Sequence, residues 1–168
     1  MSYINKFDRD GQCSVDGEYA ENSFGKLLSL KGKIRPATKA EQFRHIDFVL
    51  DDNGKLIKYD VKAQKRLSRQ DDEVNNDLIW VEFLSVTGNP GWLYGEANYI
   101  VFERAKDFVI VDRNKLREMC EIKCDLALMV TSSQNALYKG YRRFMRKDLI
   151  SIVLMTDILP IAHEIWQK

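Results

Sequence analysis

The chain is poor in the residues that interrupt or staple small folds. It has 3 prolines and 9 glycines in 168 residues, and they do not gather into a linker or a low-complexity tract. No segment repeats at a fixed period. One continuous domain over residues 1–168 is therefore expected, of a length at which a hydrophobic core needs no covalent help. Cysteine is also scarce, with 3 in all. Cys120 and Cys124 are spaced C-x3-C without a second ligand pair nearby, so free thiols are expected rather than a zinc site. Long apolar runs are missing. The longest, 149–155 (LISIVLM), falls short of the roughly 18 residues that a membrane helix needs and suits a buried strand. The opening residues MSYINKFDRDGQ lack the apolar stretch of a signal peptide. These absences predict a cytoplasmic protein with no membrane partner.

Charge of one sign is also lacking overall, at a net +1. Its distribution is uneven. Residues 26–69 carry twelve cations against five acids, and residues 138–147 (YKGYRRFMRK) carry five cations, three aromatics and no acid. Local potential steers association with a polyanion more than total charge does, so two concentrated basic blocks are compatible with a nucleic-acid partner; two solvated faces would give the same counts. At helical spacing Lys139, Arg142, Arg143 and Arg146 would form one basic face, able to contact phosphates.

The hydrophobic pattern predicts a helix over 16–30, with Tyr19, Phe24, Leu27, Leu28 and Leu30 recurring at spacings near three and four. Strands follow at 45–50, 56–65 and 78–86, the first two joined by Asp51-Asp52-Asn53-Gly54, whose Asn-Gly pair tolerates the positive φ of a tight hairpin turn. Residues 66–76 read as a polar loop. Further strands are expected at 99–103, 108–111, 126–130 and 149–155, with a short helix at 114–121. A last helix is expected to start at Thr156 or Asp157, carry Pro160 in its first turn and run through Trp166. Helix, strand meander, helix and strand together indicate an α/β domain with a mixed sheet flanked by helices.

The chemistry concentrates on one face of the first hairpin. Asp60 and Lys62 are two apart on a strand and point the same way, with Gln64 continuing that face. The hairpin can place Asp47 beside Asp60 across the ladder. Gathered carboxylates repel, and such clusters persist when a cation neutralises them. Hard oxygen ligands suit Mg²⁺ or Mn²⁺, which take one or two carboxylates together with water and substrate phosphate. That set is equipped for phosphodiester hydrolysis, with Lys62 orienting water, helping to deprotonate it or stabilising the developing charge. The competing assignment makes Asp60 and Lys62 the exposed face of an amphipathic strand.

Glu21 in a first helix, Asp47 on strand one and Asp60-Val61-Lys62 on strand two resemble the PD-(D/E)XK nuclease superfamily. So do the segment 91–102 (GWLYGEANYIVF), similar to one in phage-encoded members, and the ending 147–159. The resemblance implies a restriction-endonuclease-like core of helix, three-stranded meander, helix and strand. It implies metal ligation by Asp47, Asp60 and the Val61 carbonyl, assistance from Glu21, and support from Gln64. It also implies a DNA-cleaving enzyme. The small size leaves little room for a separate recognition domain, which favours a structure-directed nuclease such as a Holliday junction resolvase or phage recombination nuclease, acting as a homodimer. Ile46 stands where the superfamily often has proline, Asp60 where glutamate is commoner, and Glu18 competes with Glu21 from one helical turn away. The alternative is an inactive nuclease-fold module that binds DNA or a protein partner, for instance a phage factor; a small-molecule phosphodiesterase is a third. His45 is expected at the surface, with contact to a substrate phosphate as the alternative, and His163 at the surface or as a cap. Trp92 and Tyr94 are expected to pack in the core or a turn, with stacking on a base as the alternative. Glu82 is either an accessory acid or solvated. The acidic run Asp71, Asp72 and Glu73 is expected to be solvated.

Overall fold

In the computed structural model, residues 12–66 and 73–168 are described. They form a six-stranded and a four-stranded sheet with helices packed against them. The elements in chain order are α1 (Gln12–Leu28), β1 (Lys33–Pro36), α2 (Lys39–Gln42), β2 (Phe48–Asp52), β3 (Lys55–Lys62), β4 (Leu78–Leu84), β5 (Tyr99–Glu103), β6 (Asp107–Asp112), α3 (Arg113–Lys123), β7 (Asp125–Val130), β8 (Lys139–Tyr141), β9 (Leu149–Leu154), α4 (Met155–Ile158) and β10 (Ala162–Gln167). The large sheet runs β1-β2-β3-β5-β6-β10 and the small one β4-β9-β8-β7. Both are mixed: β3 pairs with β5 in parallel, as β7 does with β8, among otherwise antiparallel ladders. The expected mixed α/β class is what the chain adopts.

The large sheet separates two apolar clusters. One face, formed by Phe48, Leu50, Tyr59, Val61, Val101, Phe108 and Ile110, receives α1. The helix buries Ala20, Phe24 and Leu28, one residue per turn along a single stripe. Tyr19 and Leu30, expected on that stripe, are exposed. Gly25 lets the helix lie close, because a Cβ there would meet the Phe48 ring at 3.0 Å. Phe24 is the centre of this layer, its ring 5.6 Å from Tyr59, 5.5 Å from Phe108 and 5.4 Å from Trp166. The other face, with Val49, Ile100, Phe102, Val109 and Val111, packs on α3 and on the small sheet through Val81, Phe83 and Val153.

The β2–β3 hairpin closes as its sequence indicates, with Asn53 at φ +53 and Gly54 at φ +90. Strand β4 departs from expectation. It does not extend the meander beside β3; it crosses to the small sheet and pairs antiparallel with β9, and β5 takes the place next to β3. Both faces of β3 are thereby covered, which is the usual situation of a parallel pair.

Two further elements differ from the sequence reading. The last helix is a single turn, α4, begun at Leu154 without a side-chain cap rather than at Thr156 or Asp157. A 3-10 turn containing Pro160 ends it, and the chain continues as β10. The physical reason is the open edge of β6: pairing there, with Trp166 opposite Phe108, lets the Trp166 ring stack on Phe24. The basic segment is also not helical. Lys139 lies in β8, and Arg142, Arg143 and Arg146 follow in a turn. Asp148, fully buried, accepts from the Arg143 backbone N–H at 3.1 Å and pairs with its guanidinium, and its carbonyl accepts from Arg142 Nε at 3.0 Å. These bonds fix a reversal that a helix cannot make. Asp71 and Asp72 lie outside the described residues.

Truncating the stacked centre of the α1 layer tests this packing. Phe24→Ala is expected to lower stability by about 3–5 kcal/mol, read as a reduced urea midpoint at unchanged slope.

Candidate functional site

The site begins with how the chain enters β2. Thr38 opens α2 with a reciprocal capping box: its hydroxyl accepts from Glu41 N at 3.3 Å, and the Glu41 carboxylate accepts from Thr38 N at 2.8 Å. The helix is stopped at His45, which takes φ +59. Its N–H bonds to Gln42 O at 3.0 Å, and Ile46 N bonds to Glu41 O at 3.2 Å, the double closure of a helix C-terminus. Glycine usually occupies that left-handed position; histidine is among the side chains that tolerate it. The reversal drops Ile46 into the core and brings Asp47 to the ladder, where Asp47 N donates to Tyr59 O at 2.8 Å.

Asp47 then reaches across to β3. Its Oδ2 accepts from Val61 N at 2.7 Å. The Asp47 and Asp60 carboxyls lie close enough for each to shift the other's pKa. Lys62 Nζ lies 2.6 Å from Asp60 Oδ1. Asp60 is only 2% exposed, which removes the assignment of this face to solvent. Burial and the neighbouring Asp60 push the Asp47 carboxyl up to about 7. Burial also raises Asp60, against the opposing pull of Lys62. Burial works against the Lys62 ammonium, yet the two aspartates outweigh it and its pKa is raised. Glu21 senses the same field: burial first, then Asp47, lifts it to about 7, while Lys62 pulls it down. The structure thus brings Asp47, Asp60 and Lys62 into contact, with Glu21 within electrostatic range on α1.

Beside this group opens a cleft of about 790 Å³ between the end of β3 and the small sheet, with Lys62, Gln64, His45, Glu82, Trp92 and Arg143 in its walls. Gly91 makes the near wall possible: a Cβ there would stand 2.3 Å from Glu82 O. The following turn is braced by Arg113, which donates to Ala97 O at 2.9 Å and Leu93 O at 3.0 Å. It sets the Trp92 ring 5.2 Å from Lys62 Nζ, a cation–π contact. Glu82 sits at a bulge in the β4–β9 ladder. Burial raises its pKa, opposed by Lys62 and Arg143. Burial and Lys62 both lower the His45 pKa, which favours the neutral imidazole.

Two polar atoms here are buried without a hydrogen-bond partner, Asp60 Oδ2 and Gln64 Oε1. Unpaired buried oxygens call for a missing partner. Next to a second carboxyl, the donor set is one that a hard divalent cation completes. Among the described residues no group of three or more His, Cys, Asp or Glu side chains is gathered tightly enough to enclose a metal unaided. Gln64 lies just past β3, its N–H donating to Glu103 Oε2 at 3.2 Å. Val61 contributes its N–H to the Asp47 carboxylate.

Glu82, which the sequence leaves open between an accessory acid and a solvated residue, and His45, read as a surface residue that could touch a substrate phosphate, both line this cleft. Their signal was faint: a lone acid inside the apolar run LIWVEFL, and a histidine two residues before Asp47. Trp92 is packed, as expected, and also carries the lysine. Of the basic residues, Arg143 lines the cleft. His163 stands on β10, its ring stacked on Tyr99 at 4.8 Å. Tyr94 donates to Glu121 at 2.8 Å. Comparison with family models, with curated proteins and with solved structures gives no match.

The proton held by Asp47 has a consequence for stability. A carboxyl whose folded pKa of about 7 exceeds its ordinary value of 3.8 binds protons more tightly in the native state. Its contribution is therefore complete below the ordinary value and is lost as pH rises towards about 7; Glu21 adds to it with the same sign. Melting curves in EDTA between pH 4 and 8 are expected to show the wild type losing more stability than Asp47→Asn over that window.

Proposed function

We propose that the chain is a metal-dependent nuclease that hydrolyses DNA phosphodiester bonds on its mixed α/β core. The observation that carries this reading is the buried Asp47–Asp60 carboxyl pair, with Lys62 Nζ at 2.6 Å, beside an open cleft. Asp47 and Asp60 would hold Mg²⁺ or Mn²⁺, with the Val61 carbonyl as a further oxygen and Glu21 assisting. Such an ion, when bound, polarises a phosphoryl oxygen and lowers the pKa of a bound water. Lys62 has its pKa raised and stays an ammonium at neutral pH, so its part is to stabilise negative charge developing on the phosphate rather than to act as a base. Gln64, with an unpartnered oxygen at the cleft wall, positions the water or a phosphate. Neutral His45 is suited to donate or accept a hydrogen bond there. Arg143, paired with the buried Asp148, lines the opposite wall, and Lys139, Arg142 and Arg146 lie on the same segment.

The reading extends to a structure-directed nuclease acting on junctions or recombination intermediates in the cytoplasm. A homodimer would offer one site to each strand. A second reading has one observation in its favour. Lys62 already neutralises Asp60 directly, and a permanent ion pair suits a module of the same fold that binds DNA or a protein without cutting it.

Incubation with plasmid, single-stranded and branched DNA separates the two. Wild type is expected to cleave at least one of them with Mg²⁺ or Mn²⁺ and not in EDTA. Asp60→Asn and Lys62→Ala, checked for native melting, are expected to lose about 100-fold or more in rate. Intact DNA in every wild-type reaction, or variants that cut as fast as wild type, would remove the nuclease.

A further inference from the structure

The turn that follows β8 has an unusual composition for a surface corner. Arg146 N donates to Arg143 O at 3.1 Å, so residues 143–146 form a β-turn with Phe144 and Met145 at its two corners. Phe144 is 91% exposed and Met145 86% exposed. Met145 takes φ +57, a conformation that a turn ordinarily reserves for glycine at this corner. Both stems are pinned. Buried Asp148 holds Arg142 and Arg143, and Lys147 N donates to Val86 O at 3.2 Å. The two apolar side chains are thus presented to solvent on a fixed support.

Their surroundings decide the partner. Arg142, Arg143, Arg146 and Lys147 flank the tip, and no acid occurs from residue 126 to residue 147. Cations beside an exposed aromatic ring match a nucleotide, whose phosphates pair with the charges and whose base offers a flat face to the ring. The turn leaves the cleft wall at Tyr141 and Arg143 and returns to it at Ile150. A nucleic-acid strand held at the tip would therefore lie beside the cleft of the proposed site.

We propose that Phe144 and Met145 form a base-contacting tip, which stacks on an unpaired or unstacked nucleobase while the adjacent cations hold the phosphates. This rests on the nucleic-acid half of the proposed function and does not require cleavage. The test is binding in EDTA, by fluorescence anisotropy, to a short single-stranded oligodeoxynucleotide and to an abasic strand of equal length and charge. Wild type is expected to prefer the base-bearing strand by about tenfold or more. Phe144→Ala with Met145→Ala is expected to lose the preference while keeping the slope of affinity against salt, since no charge is removed. Lys147→Ala with Lys139→Ala, which removes charge and leaves the bonds to Asp148 in place, is expected to do the opposite, lowering the slope and keeping the preference. Equal wild-type binding to both strands, no binding to either, or a preference that survives in the Phe144/Met145 variant overturns the inference. So does binding to phosphatidylserine vesicles that depends on Phe144 and is accompanied by no base preference. A chain that shows the preference but never cuts DNA with Mg²⁺ keeps the tip and loses the nuclease, and a chain that cuts without the preference does the reverse.

Discussion

Everything at the candidate site follows from one piece of backbone pairing. Asp47 joins the β2–β3 ladder one residue before β2 begins, giving its N–H to Tyr59 and taking that of Val61 on its carboxylate. Those two bonds fix where the side chain points. Because Asp60 lies between Tyr59 and Val61 on the partner strand, the two carboxyls meet. Packing of the small sheet on that face leaves Asp60 only 2% exposed, and Lys62 is drawn in as the nearest counter-charge. Burying charge in this way costs free energy even when it is paired. The site is therefore a local expense carried by two large apolar layers, and neither layer would need the acids for its own sake.

The hairpin was the most legible part of the chain. Alternation on 56–62, the Asn-Gly turn and the two-residue spacing of Asp60 and Lys62 are local signals, and local signals determine a tight hairpin. The α1 stripe was half legible: Phe24 and Leu28 are buried at helical spacing, but nothing local distinguishes Tyr19, which faces water, from Ala20, which does not. The strand 78–84 was recognised as a strand and given the wrong neighbour. Its pattern states which residues are apolar, and both sheets offer an apolar face, so the choice between β3 and β9 is settled only by the packing of the whole.

The errors near the C-terminus have a common origin. Residues 155–166 have helical spacing and a proline placed as at a helix start, and residues 139–146 put cations at every third or fourth position. Each pattern was overruled by a partner distant in sequence: the free edge of β6 in the first case, the buried carboxylate of Asp148 in the second. Glu82 was ambiguous for the same reason. A single acid within an apolar strand is solvated or buried according to what lies across from it, and what lies across is Lys62, twenty positions earlier on another sheet.

The excursion of β4 into the second sheet has a consequence for the order in which this chemistry appears. Hairpin β2–β3 can form from neighbouring residues, while β3–β5 and β4–β9 join segments separated by long intervals and close more slowly. A nascent chain with only the hairpin formed would hold Asp47 and Asp60 in water, as two ordinary acids of ordinary strength. Their unusual hold on a proton is thus a late property, acquired when the second layer shuts over the first. Acidity at this pair is a reporter of tertiary closure, silent about the hairpin beneath it.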